Sequence, residues 1–217
     1  LQILTGILLF YWALLWLGSK QGPFEIESNF ARTFDILILG ESHLYRGFGI
    51  PFDPEGILST IPSVGTVIIG YLMGGMLHTT KNYNDCVKRM FVFGFGLIVI
   101  GYLWGFIFPI NKALWTSSYV LFTGGIATIF LSLITYLIDI KHFKKPFWVF
   151  EVFGTNSIFI FILSGLWVKT IINIKRELNG EMTSAYNYLY KTIFVPLAGD
   201  LNGSLLFAIT HLIGFWL

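Results

Sequence analysis

Hydrophobic residues in this chain fall into long unbroken runs parted by polar connections, not into the alternating or one-faced patterns of a soluble fold. Crossing a hydrocarbon core of roughly 30 Å takes about 20 helical residues at about 1.5 Å each. Six runs meet or approach that length: Leu1 to Leu17, Ile57 to Leu77, Met90 to Ile110, Ser118 to Ile138, Phe147 to Ile172 and Ile193 to Leu217. Helices are preferred to strands because lipid offers no water to an open backbone. The pattern predicts an all-α fold, a polytopic transmembrane helix bundle of about six spans, organised as one domain over residues 1–217.

Residues 18–56 break the pattern with a polar segment too long for a structureless connection. Within it Phe30, Phe34, Leu37 and Ile38 recur at helical spacing, which predicts a short amphipathic helix, either lying along the membrane interface or capping the bundle. Lysine and arginine mark the inner side of a membrane. Lys81, Lys88 and Arg89 follow the second run, and Lys141, Lys144 and Lys145 follow the fourth, whereas the 18–56 segment carries Glu25, Glu27, Asp35, Glu41, Asp53 and Glu55. That segment is expected to face outward, although Lys175, Arg176 and Lys191 in the fifth connection weaken the contrast.

Composition agrees: 55% of the 217 residues are hydrophobic and 12% charged. A net charge of +2 without a basic stripe gives no support to nucleic-acid binding. Cys86 is the single cysteine, so one chain builds neither a disulfide nor a paired-cysteine metal site, and no metal-ligand spacing appears. GYLMG at 70–74 and GYLWG at 101–105 are GxxxG strings, which let helix backbones approach closely and allow self-association into a homo-oligomer.

Candidate chemistry begins at Asp53 and Glu55, set against the second run. Pro54 disfavours helix at Asp53 and places Glu55 in the expected first helical turn, where a carboxylate is favoured. A line of acids at the outer mouth of a cavity is the functional alternative. Pro62 is expected to kink the second span, with Ser59 and Thr60 satisfying the groups it frees. In the fifth run Thr155, Asn156 and Ser157 put polar groups at membrane depth, with Glu151 one turn earlier, for an interhelical hydrogen bond or a substrate contact. Among the histidines, His78 and His142 read as interfacial and His211 as a core residue. His43, in the outward segment, is the candidate for acid–base work.

HLYRG at 43–47, FDPEGILSTIPSVGTVIIGYLMG at 52–74, INKALWTSSYVLFTGG at 110–125, LIDIK at 137–141 and FGTNSIFIFILSGL at 153–166 occur in this order. Together they resemble the membrane domain of heparan-alpha-glucosaminide N-acetyltransferase and its bacterial relatives, many of which are labelled as N-acetylglucosamine transporters. The resemblance implies an acyltransferase that moves an acetyl group from acetyl-CoA across a membrane onto the amine of a glucosamine, with no metal. It implies a bacterial inner-membrane location, and as partners membrane lipid, an amino sugar and N-terminal helices of the same protein that precede this chain. The histidine held to be catalytic in that family lies near an HAxWxGxTxxDLVFP pattern, which is absent here. The chain therefore reads as a C-terminal portion, inactive alone, with no catalytic residue beyond the candidate His43. Carried onto this sequence, the resemblance implies substrate contacts at Asp53, Glu55, Lys112 and Trp115, and acetyl-donor contacts at Asn156 and Ser157. A sugar transporter and a purely architectural module are the other readings.

Overall fold

Leu4, Leu8, Tyr11 and Leu15 share one face of a helix, and in the computed structural model they are the buried positions of α1, Gln2–Gly18. The structure describes residues 1–80, 82–178 and 180–216. Lys81, one of the cations behind the expected orientation, and Leu217, the expected end of the sixth run, lie outside the described residues. Two compact units form, Leu1–Phe143 and Lys144–Leu217.

In the first unit α1 is followed by α2 (Phe30–Leu39), α3 (Thr60–Thr79), α4 (Tyr83–Trp104) and α5 (Ser117–Thr135), the last continued by a π-helical turn, Tyr136–Ile140. Among the described residues four helices are long and apolar enough to cross a membrane, and five if one bent pair counts as a single span. The protein is an integral membrane protein with an all-α bundle. The first run, expected as a span, forms a helix of only 17 residues, about 25 Å long at the α-helical rise.

Pro62 does not kink α3. It sits in the first turn, where its missing N–H has no intrahelical carbonyl to bond in any case. Ser59 Oγ and Thr60 Oγ1 both donate to the Gly56 carbonyl, at 2.8 and 3.3 Å, and tie the preceding turn to the helix start. Close helix contact is made by α4 and α5, through Gly94 and Gly125, outside the GxxxG strings, and through Gly101 of GYLWG. A Cβ at Gly125 would stand 2.6 Å from the Gly94 carbonyl oxygen, and one at Gly101 would stand 2.6 Å from the Phe122 nitrogen. Gly70 and Gly74 meet nothing within 4 Å, so the expected packing role of GYLMG is not seen here. Cys86 is buried with Met73 and Met90, as a small hydrophobe.

Buried hydroxyls tie α1 to the loop that starts α5. Tyr11 Oη donates to the Leu114 carbonyl at 2.7 Å, and Ser117 Oγ donates to the Leu8 carbonyl at 2.7 Å. Substituting Tyr11→Phe leaves a buried carbonyl without its donor, and the expected loss is about 1–2 kcal/mol. Denaturation of the purified protein in mixed micelles measures it, and a change below about 0.3 kcal/mol would show that this bond adds nothing to stability.

In the second unit, α6 (Trp148–Thr155) and α7 (Ser157–Asn173) replace the single expected fifth span. They bend by 72°. Asn156 stands at the break with φ −115°, its side chain taking the Val152 carbonyl that a continuous helix would offer to the Asn156 N–H. A short antiparallel hairpin follows, β1 (Lys175–Leu178) and β2 (Glu181–Ser184), with Lys175 opposite Ser184. The hydropathy pattern does not foreshadow it. The chain then forms α8 (Ala185–Leu189), a π-helical turn at Tyr190–Phe194, and α9 (Val195–Trp216), itself broken at Gly199, whose φ is 76°. His211 lies in an aromatic cluster with Tyr186 and Phe207, and its Nδ1 bonds the Phe207 carbonyl at 2.9 Å, but it is only half-buried and lines a hollow of about 530 Å³ with Trp167 and Phe194, so it is not a fully buried core residue.

Candidate functional site

Asp53, Pro54, Glu55 and Gly56 form a turn closed by the Gly56 N–H on the Asp53 carbonyl, 3.1 Å. These are the residues such a turn favours, with Asp first, Pro second and Gly fourth. Asp53 Oδ1 also accepts from the Glu55 N–H at 2.9 Å, which leaves its second carboxylate oxygen available. Glu55 is thus not in the first turn of α3, as the sequence predicts, but in a turn that ends before Thr60.

A second loop, between α4 and α5, repeats the device. Asn111 Oδ1 accepts from the Ala113 N–H at 2.8 Å, and the Trp115 N–H donates to the Lys112 carbonyl at 3.2 Å. Trp115 has φ 49°, a left-handed conformation unusual for an aromatic residue. Thr116 fixes the start of α5: its hydroxyl donates to the Pro109 carbonyl at 2.9 Å, and its side chain caps the helix by accepting from the Tyr119 N–H. Trp115 Nε1 reaches Thr66 Oγ1 on α3 at 3.4 Å. Strain at a non-glycine residue persists only where the surroundings enforce it.

The two loops face each other across a cavity of about 840 Å³. One supplies Asp53, Pro54 and Glu55, and the other supplies Asn111, Lys112, Ala113 and Trp115. Ile26, Tyr45 and Phe48 complete the described lining. All four residues assigned to substrate contact, Asp53, Glu55, Lys112 and Trp115, therefore stand in one site. Carboxylates, an ammonium group and aromatic faces around a mostly apolar hollow suit a small molecule with a cationic group, hydroxyls and an apolar face.

The other sequence candidates lie elsewhere. His43 is exposed at the end of a 3₁₀ turn, Glu41–His43, and is not among the described lining residues. Its Nδ1 donates to the Leu39 carbonyl at 2.8 Å, so in the neutral ring Nε2 is the basic nitrogen. In the second unit Asn156 and Ser157 are exposed at the α6–α7 break. Asn156 Nδ2 donates to the Val152 carbonyl at 3.1 Å and to Thr155 Oγ1 at 3.3 Å, which turns the amide back onto its own helix. Among the described residues no cluster of His, Cys, Asp or Glu could hold a metal ion.

No protein-family model matches the chain. Heparan-alpha-glucosaminide N-acetyltransferase of Mus musculus is 31% identical over 150 residues, covering 61% of this chain and 22% of that protein. The Homo sapiens protein of the same name matches with the same identity and the same cover. The chain resembles these acetyltransferases. It spans 22% of the length of the curated relatives it matches.

Neither the motif strings nor the resemblance to heparan-alpha-glucosaminide N-acetyltransferase singles out Asp35. It is buried on α2, and its Oδ1 accepts from the Ile57 N–H at 3.0 Å, just beyond the Asp53–Gly56 turn. The signal was a lone acid inside the apolar string FDILIL. Burial pushes its carboxyl above the ordinary value of 3.8; the Ile57 and Leu58 N–H groups oppose the rise and the Asp53 charge adds to it. A raised folded-state value means that the folded protein holds the proton more tightly than the unfolded chain. The stability this group adds is full below its ordinary value and is lost as pH rises through the raised one. Asp35→Asn should remove that dependence, so the variant gains on the native protein as pH rises from the acid side. Thermal unfolding across pH reads the difference, and parallel profiles would contradict it.

Proposed function

We propose that the cavity is the acceptor-sugar site of a membrane-embedded N-acetyltransferase, which moves an acetyl group from acetyl-CoA to the amine of a glucosamine-type sugar. The observation that carries this reading is the convergence of Asp53, Glu55, Lys112 and Trp115 on one hollow. Asp53 and Glu55 hold the sugar's ammonium group, Trp115 with Tyr45 and Phe48 meets its C–H face, and Lys112 and Asn111 bond its hydroxyls.

An ammonium must lose its proton before it attacks. His43 Nε2 is the candidate base that the sequence offers within this chain, but it stands outside the described cavity lining, and the resemblance puts the principal histidine in an upstream segment. Acetyl-CoA supplies the thioester: the sugar nitrogen bonds to its carbonyl carbon, the C–S bond breaks, and the departing thiolate takes up a proton. Asn156 and Ser157 are the positions proposed for the donor. The Asn156 amide is turned back onto α6, and the first N–H groups of α7, which lack intrahelical partners, are the further donors that fit a thioester oxygen there. The acidic 18–56 segment supports an outward-facing sugar site; a bacterial inner membrane, with the donor taken from inside, is what the resemblance implies.

A second reading, transport of N-acetylglucosamine-type sugars, draws support from the helix breaks at Asn156 and Gly199, since discontinuous helices often line transport sites. Incubating the intact protein in proteoliposomes with labelled acetyl-CoA and D-glucosamine separates the two. Labelled N-acetylglucosamine formed only with both substrates supports acetyl transfer. Sugar uptake that ignores acetyl-CoA overturns it.

A further inference from the structure

α2 presents a polar stripe, Asn29, Arg32 and Asp35, spaced three residues apart along the helix and its N-cap. Each member bonds backbone outside the helix. Asn29 Nδ2 donates to the carbonyls of Glu25 and Ile26, at 2.7 and 2.9 Å. Arg32 Nε donates to the Pro51 carbonyl at 2.9 Å, and one of its Nη groups donates to the Glu27 carbonyl at 3.1 Å. Asp35 accepts from the Ile57 N–H. Arg32 and Asp35 thus grip the chain on both sides of the Asp53–Glu55 turn, while Asn29 holds the turn that carries Ile26, another wall of the same cavity.

We propose that this stripe is a positioning clamp: by fixing where Asp53 and Glu55 stand, Asn29, Arg32 and Asp35 set the cavity's preference for a cationic ligand over a neutral one. The inference rests on the acceptor-site reading of the cavity. Stability alone gives no reason for the choice of residue. Asp35 is 2% exposed, and burying a carboxylate costs more than burying a neutral acceptor able to bond the same N–H. The fit is also close, because a Cβ at Gly56 would stand on top of Asp35 Oδ2. Asp35→Leu removes the grip, Gly56→Ala displaces it without changing any charge, and Asp35→Asn keeps an acceptor for Ile57.

The test uses the intact protein in micelles and two probes, D-glucosamine and N-acetyl-D-glucosamine, with hydrogen exchange followed over residues 51–58. Asp35→Leu and Gly56→Ala should each lower the ratio of glucosamine to N-acetylglucosamine affinity about tenfold and speed the exchange, whereas Asp35→Asn stays within about threefold. A general loss of stability, measured below the melting temperature, would not move that ratio. An unchanged ratio in Asp35→Leu overturns the clamp, and so does an Asp35→Asn variant as damaged as Asp35→Leu. If the leucine variant does not fold, Gly56→Ala decides by the same ratio. Failure of the native protein to bind glucosamine overturns the acceptor-site reading instead. In that case the ligand preference falls with it, and exchange decides only whether the stripe fixes the turn: faster exchange in Gly56→Ala shows that it does, and unchanged exchange shows that it does not.

Discussion

Replacing Asp53 by Asn and Glu55 by Gln together lowers the affinity of the intact protein for D-glucosamine by about 30-fold, with N-acetyl-D-glucosamine changed by less than about threefold. The two carboxylates contribute unequally. Asp53 is half-buried, and a charge-assisted bond there is worth about tenfold, whereas Glu55 is exposed, so water and salt reduce its share to about threefold. Neutral isosteres keep the turn, because the amide oxygen introduced by Asp53→Asn can still accept from the N–H of the residue two positions on. Calorimetric titration with each sugar measures both affinities. Equal losses for the two would mean that the acids shape the cavity but do not read charge.

The other large effect concerns stability. Gly125→Ala should destabilise the protein by about 2 kcal/mol or more, although alanine is intrinsically the better helix former by about 1 kcal/mol. The new Cβ would stand 2.6 Å from the Gly94 carbonyl oxygen and 2.8 Å from the Ile98 nitrogen. Both are backbone atoms of α4, so relief requires the two helices to separate. Gly74→Ala is the control: nothing lies within 4 Å of that site, and only the helix preference acts. Denaturation in mixed micelles should find the first variant weaker than the native protein and the second no weaker. Equal effects at both sites would show that α4 and α5 are not in close contact.

Hydropathy made the spans legible because lipid imposes long continuous apolar runs. Where polar groups act on backbone, the pattern misleads. A proline in a membrane run suggests a kink, yet Pro62 sits where helices lack N–H partners anyway. Asn156 reads as a buried contact, but it is exposed and its amide takes the Val152 carbonyl at a 72° bend. Of two similar GxxxG strings only GYLWG sets a glycine, Gly101, against a neighbouring helix, since a glycine pair says that close approach is permitted and not which face meets a partner.

The same contrast runs through the site. Asp53, Glu55, Lys112 and Trp115 were accessible as charged or aromatic residues within specific strings, and the fold brings them to one hollow from loops more than fifty residues apart. The clamp was hidden. The helical periodicity of Phe30, Phe34, Leu37 and Ile38 directs attention to an apolar face, but Leu37 is 79% exposed while Asp35 is buried. Phe30 and Phe34 do pack into the bundle, so the first half of α2 caps it. Tyr45, although inside HLYRG, and Phe48 bear no charge and follow no spacing rule, and three-dimensional proximity to Asp53 is what marks them as cavity wall.

Cryo-electron microscopy of the intact protein with D-glucosamine addresses the cavity most directly. Sugar density is expected between the 53–56 turn and the 111–115 loop, its amine on the free Asp53 oxygen and its ring against Trp115. Asp53 and Lys112 on unconnected surfaces, or the sugar bound elsewhere with this hollow empty, would contradict the acceptor-site reading.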